Sequence, residues 1–156
     1  MIKIDFHGWR FRAEPELTGV AYATNTSRGA HLCSCVYCRN LVAQRSTEYP
    51  TELCGFLQRV GVDPLKEAEV WEVGPLLPGG YNYNSGWWHF IGEIEGAGES
   101  PVRLDANSGG RSRKWELAFS AGPGQLKLES LPAAPLVTVE FSTELPWVLD
   151  EPYPAG

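Results

Sequence analysis

The sequence lacks any apolar run that approaches the ~20 residues of a membrane-spanning helix. Its first residues, MIKIDFHGW, contain no basic segment that leads into an apolar one, which is the pattern of an export signal. We therefore expect a cytoplasmic protein with no membrane partner. Because disulfide bonds rarely persist in that reducing compartment, the four cysteines are expected to be free, metal-bound or redox-active.

Basic residues are scarce, since 13 Lys and Arg stand against 19 Asp and Glu and give a net charge of −6. Nonspecific nucleic-acid binding depends on a surplus of basic side chains, so we expect no nucleic-acid partner. Such acidity is typical of a solvated surface, and one alternative is an acidic inhibitor or immunity-type protein that binds a basic partner. The acidic residues are least balanced after Lys127, where the chain has no Lys or Arg. This region contains Glu129, Glu140, Glu144, Asp150 and Glu151.

Recognised catalytic motifs are also missing. The chain has no GxSxG elbow, HExxH motif, phosphate-binding loop or dinucleotide fingerprint. Its 156 residues suit one domain, 1–156. The 17 Gly, 12 Pro and 12% aromatic residues favour short strands that are joined by tight turns.

Alternation of apolar and polar residues predicts most of the secondary structure as strands. Ile2, Ile4 and Phe6 alternate with polar residues, and WRFR continues the pattern after a His7-Gly8 turn. The pattern predicts strands at 2–6, 9–12, 17–23, 68–73, 87–95, 102–104, 113–120, 125–129 and 136–142.

Helical signals occupy one part of the chain. Ser34 is expected to cap a helix at about 35–45, and Pro50 to begin a second one that ends near Val60, before Gly61. The prediction is an α+β, β-rich fold: an antiparallel β-sandwich or partly open barrel with a two-helix insertion at about 34–61, after the third strand.

The cysteines carry the clearest chemical signal. Cys33, Cys35 and Cys38 lie within six residues of HLCSCVYCRN, and thiolates bind zinc, which takes four ligands in a structural site. The fourth ligand is expected to be Cys54 on the second helix, with His31 as the alternative. Two other hypotheses are a redox pair formed by Cys35 and Cys38, and small buried side chains without a metal.

These residues also allow an enzyme. In that alternative, a small metal- or thiol-dependent enzyme uses Cys35 or Cys38 together with His89 or His31. The sequence ties no nucleophile to a histidine, so the primary hypothesis is a noncatalytic domain. It binds a protein or a small ligand and has a structural metal site, with zinc as the cofactor.

An aromatic segment, YNYNSGWWHFIGEIE, provides the candidate ligand-binding residues Tyr81, Tyr83, Trp87 and His89. Both faces of the predicted strand are largely apolar, which is typical of a central strand in the core. The functional alternative is a stacking platform for sugars, bases or peptides.

Four segments together resemble a family of small uncharacterised bacterial proteins. They are HLCSCVYCRN, YPTELCGFLQRVGVDPLKEAEV, WWHFIGEI and LPWVL, and the shared elements are CxCxxCRN, GxDPxKxxEV and a later HFxG strand. These elements span most of the chain. The resemblance implies a bacterial cytoplasmic domain, and it supplies no activity, ligand set or catalytic residue.

Overall fold

The computed structural model describes residues 1–26, 29–107, 109–124 and 126–154. Within these ranges, one antiparallel sheet of seven strands combines with three α-helices, so the predicted β-rich α+β class is confirmed, and a sandwich or an open barrel is compatible with it. The elements in chain order are β1 (Ile2–Phe6), β2 (Trp9–Ala13), α1 (Pro15–Thr24), α2 (Val36–Glu48), α3 (Thr51–Arg59), β3 (Glu69–Leu77), β4 (Tyr81–Gly96), β5 (Val102–Leu104), β6 (Trp115–Ala121) and β7 (Leu136–Pro146).

Strand β4 organises the sheet. The strand order is β1-β2-β4-β7-β6-β5, and β3 also pairs with β4. On one edge, β4 pairs with β7 from residue 81 to residue 91. On its other edge, residues 81–87 pair with β3 and residues 92–96 pair with β2. The stretch between these two partners needs hydrogen bonds from elsewhere.

Helix α1 supplies those hydrogen bonds. The Tyr22 hydroxyl donates to the His89 carbonyl (2.9 Å) and accepts from the His89 N–H (3.1 Å). The Thr18 hydroxyl accepts from the Ile91 N–H (3.0 Å), and the Glu14 N–H donates to the Ile91 carbonyl (2.9 Å). Two side chains of α1 and the backbone N–H of the preceding Glu14 thus replace a neighbouring strand along this part of β4.

The prediction of a strand at 17–23 is wrong, because α1 covers these residues. Pro15 occupies the first turn of the helix, where its missing N–H and fixed φ are tolerated. Thr18 and Tyr22, four residues apart, are buried, whereas Leu17 is 56% exposed. The demand for hydrogen bonds along β4 selects the helix over the apolar alternation. The helical part of the chain therefore begins at residue 15, not at about 34.

The two predicted helices of the insertion are present as α2 and α3. Their observed ends differ from the predicted ends by one to three residues. Differences of this size are common at helix ends, which fray. Among the described residues, no helix is long and apolar enough to cross a membrane.

The main core lies between these helices and one face of the sheet. The Phe56 ring of α3 lies 5.7 Å from that of Phe11 and 6.1 Å from that of Phe90, centroid to centroid. Tyr49, between the two helices, makes edge contacts with Trp88 (5.7 Å) and Trp115 (5.4 Å). Such tilted and edge-on contacts between large buried rings hold the helical layer against the sheet.

An ion pair lies inside this core. The Arg45 guanidinium of α2 donates to both carboxylate oxygens of Glu67 (2.7 and 3.0 Å), and the Tyr49 hydroxyl donates to the same carboxylate. The side chains of Arg45 and Glu67 are 7% and 0% exposed. Burial, and then the neighbouring carboxylate, raise the pKa of Tyr49 well above its usual value. This buried network connects α2 to the segment that leads into β3.

The strand predicted at 125–129 is wrong for residues 126–129, and residue 125 lies outside the described ranges. These residues form a loop over the sheet, in which Leu128 is fully buried and the Leu126 carbonyl accepts from the Trp87 indole N–H (2.8 Å). The strands at 2–6 and 102–104 are confirmed, and the remaining predicted strands are present with shifted or extended ends.

Candidate metal centre and adjoining groove

Three cysteine sulfurs converge at the start of α2. The Sγ atoms of Cys33, Cys35 and Cys38 all lie within 4.8 Å of one another. Cys35 caps α2, and its sulfur accepts the N–H of Cys38 (3.4 Å). Cys33 follows a short 3₁₀ turn, Ala30–Leu32. One 3₁₀ turn and the first turn of a helix therefore bring the three side chains together, and a close set of thiols can hold a metal ion.

Cys33 and Cys38 have opposite tendencies to ionise. The pKa of Cys33 is lowered, first by the backbone N–H of Cys35 and then by the side chains of Cys35 and Cys38. Burial raises the pKa of Cys38 well above its usual value, and the two neighbouring sulfurs raise it further. A bound cation stabilises several thiolates at once, because it compensates both the burial and the mutual repulsion.

Arg39 lies beside the cysteine loop and has a carboxylate partner. Its Nε donates to the Ser34 carbonyl (3.2 Å), and its guanidinium pairs with Glu151, with 3.1 Å between Nη2 and Oε2. Ser34 therefore belongs to the loop, and Cys35 takes the capping position that was predicted for Ser34. The pair ties the C-terminal segment to the cysteine loop.

The two candidates for a fourth ligand lie outside the group of three sulfurs. Cys54 is half-buried on α3, where it packs against the core, and burial raises the pKa of its thiol. His31 is exposed in the 3₁₀ turn. Neither residue joins the three sulfurs that lie within 4.8 Å of one another, and His89 does not join them either.

The predicted aromatic platform is divided by the fold. Tyr81, Tyr83, Trp87 and His89 share one face of β4, since alternate residues of a strand point to the same side. Trp87 and His89 are buried beneath the loop after β6, and the His89 Nε2 lies 2.9 Å from the Pro123 carbonyl oxygen. Tyr81 and Tyr83 are only half-buried. Part of the face thus packs in the core, and part remains accessible.

The buried His89 is expected to make stability depend on pH. Burial lowers its pKa, so between this value and the unfolded pKa of about 6.5 only the unfolded chain binds a proton at this site. Its contribution to stability is complete above pH 6.5 and is lost as the pH falls through the folded pKa. Urea unfolding at pH 8, 6 and 5 should show a steeper loss for the wild type than for His89→Gln. Parallel pH curves would contradict this role.

A groove adjoins the cysteines on the side of β3. Its inner cavity has a volume of about 280 Å³ and is lined by residues that include Cys35 and Leu41. A second cavity, of about 680 Å³, extends to Tyr153. Tyr37 and Glu72 line both cavities, and we call the combined space the tyrosine groove. Cavities of this order are large enough for a small ligand.

The C-terminal segment forms the outer end of this groove. The Tyr153 ring lies 5.8 Å from Tyr37 and 5.1 Å from Trp147, centroid to centroid. The Asn40 side chain of α2 accepts the N–H of Val148 (2.8 Å) and so holds the segment in place. Sequence reasoning missed the groove because its walls come from distant parts of the chain. The late aromatic residues, Trp147 and Tyr153, were the available signal.

Some of the acidic groups near the C-terminus are neutralised within the chain. Glu144 lies 3.8 Å from Arg113 and 3.6 Å from Lys114, and Glu151 pairs with Arg39. The acidic character of this region therefore partly serves internal ion pairs.

Comparisons of the chain with protein families, with curated proteins and with solved structures found no match.

Proposed function

We propose that the protein is a noncatalytic binding domain in which Cys33, Cys35 and Cys38 hold a structural zinc ion. The observation that carries this proposal is the approach of three sulfurs to within 4.8 Å of one another at the cap of α2. Thiolate is a soft ligand that suits zinc, and three such ligands on one loop define most of a tetrahedral site.

The proposed metal has a structural role. It joins the 3₁₀ turn to the first turn of α2, and both precede the helix that carries Arg45. The fourth ligand, Cys54 or His31, stays a prediction, because both residues lie outside the group of three sulfurs. The ligand-binding residues Tyr81, Tyr83, Trp87 and His89 also stay a prediction, and Tyr81 and Tyr83 are the more accessible pair.

Elemental analysis of protein that was purified without added metal tests the site. We expect about one equivalent of zinc in the wild type, and its loss in Cys35→Ser and Cys38→Ser, because serine is a poor zinc ligand. Cys54→Ser is the informative comparison, since it removes a thiol from outside the group of three. Zinc loss in Cys54→Ser as well would identify Cys54 as a ligand, whereas a metal-free wild type would refute the site.

A further inference from the structure

Glu72 gives the tyrosine groove its chemical character. Of the described residues that line the two cavities, it alone has a charged side chain, and it lies where the cavities meet. Asn82 donates to its Oε2 (2.8 Å), which holds the carboxylate in place. Among the described residues, none donates to Oε1, and no basic nitrogen lies within 4.0 Å of this carboxylate. One oxygen therefore remains available to a ligand.

The surroundings of Glu72 favour a positive charge. The carboxylate is half-buried, and burial raises its pKa, although the hydrogen bond from Asn82 opposes this shift. Tyr37 and Tyr153 lie at the same junction, and the negative faces of aromatic rings attract cations. The net charge of −6 favours the approach of cations as well.

The wall of the inner cavity also has an apolar part. Leu41 and Val70 line it, together with the half-buried Cys38. An apolar chain that enters this space removes its own surface and that of the protein from water. The groove thus combines an apolar end with one available carboxylate oxygen at its middle.

We propose that the tyrosine groove binds a primary alkylammonium group, whose alkyl chain lies against Leu41 and Val70 and whose N–H donates to Oε1 of Glu72. This proposal specifies a ligand class for the binding domain proposed above and rests on that function. A free amine and the lysine side chain of a partner share this chemistry. A neutral alcohol of the same length lacks the positive charge.

Calorimetric titration with hexylamine and with hexanol at pH 7.5 tests the proposal. We expect hexylamine to bind at least tenfold more tightly than hexanol, because a charge-assisted hydrogen bond to Glu72 forms only with the amine. Glu72→Gln keeps an acceptor for Asn82 and should bring hexylamine down to the affinity of hexanol. The matched control, Glu116→Gln on β6, removes a carboxylate from outside the groove and should leave binding unchanged.

A third ligand, Nα-acetyl-lysine methylamide, distinguishes the two sources. Binding tighter than that of hexylamine supports a lysine-bearing partner, and weaker binding supports a free amine. Equal affinities of hexylamine and hexanol, or unchanged hexylamine affinity in Glu72→Gln, would overturn the proposal. Zinc content is measured in the same samples. Protein that contains zinc but does not bind hexylamine refutes the proposed ligand class and leaves the metal site standing. Zinc-free protein that still binds hexylamine refutes the metal site alone.

Discussion

Glu67→Gln is expected to lower the free energy of unfolding by about 3–5 kcal/mol, the typical effect of removing one partner of a buried ion pair. The substitution keeps the size of the side chain but leaves the Arg45 guanidinium, 7% exposed, without its counter-charge. It also weakens the hydrogen bond from the buried Tyr49 hydroxyl. Chemical denaturation at pH 7.5, compared with the wild type, measures the effect.

A matched exposed pair serves as the control for this experiment. Arg12 and Glu93 lie 2.7 Å apart on neighbouring strands, and both side chains are more than 40% exposed. Glu93→Gln should therefore change stability by less than about 1 kcal/mol. The double variant Arg45→Met, Glu67→Leu should recover much of the loss, because no unpaired charge remains buried. A loss below 1 kcal/mol in Glu67→Gln would contradict the proposed importance of the network.

Removal of zinc by a chelator is expected to lower the stability of the wild type by more than about 2 kcal/mol, since metal that binds only the folded protein contributes its binding free energy to folding. Thermal unfolding with and without the chelator measures the difference. Cys35→Ser should already unfold at the lower temperature and should not respond to the chelator. An identical unfolding temperature for chelated and untreated wild type would exclude a stabilising metal.

The sequence predicted those features that depend on near neighbours. Cys33, Cys35 and Cys38 lie so close in the chain that a single helix cap brings their sulfurs together. The alternation at residues 136–142 likewise indicated a strand, because its period follows from the backbone alone. The metal that these cysteines are proposed to hold stays a prediction.

Features that depend on distant parts of the chain escaped prediction. Thr18 and Tyr22 read as part of a strand until β4 is seen to need their hydroxyl groups. For Trp87 and His89, core packing and an accessible platform both fit the sequence until the loop over them is placed. The sequence around Glu72 did not indicate a binding site, because the site also needs Tyr37 and Tyr153, which lie in the same groove only in the folded protein. In each case the deciding partner is more than 30 residues away, beyond the reach of local periodicity.

The central position of β4 has a consequence for the order of folding. β4 pairs with β2, β3 and β7, and its longest ladder joins residues 81–91 to a strand that ends at residue 146. Pairing these distant strands first closes long loops of the chain, which lowers its conformational entropy before the strand contacts stabilise it. Sheets of this topology are therefore slow to form. The backbone hydrogen bonds of helices α2 and α3 join near neighbours in the chain, so these helices can form earlier. The cysteine loop at the start of α2 depends only on neighbouring residues, so we expect its three sulfurs to come together before the sheet is fully paired.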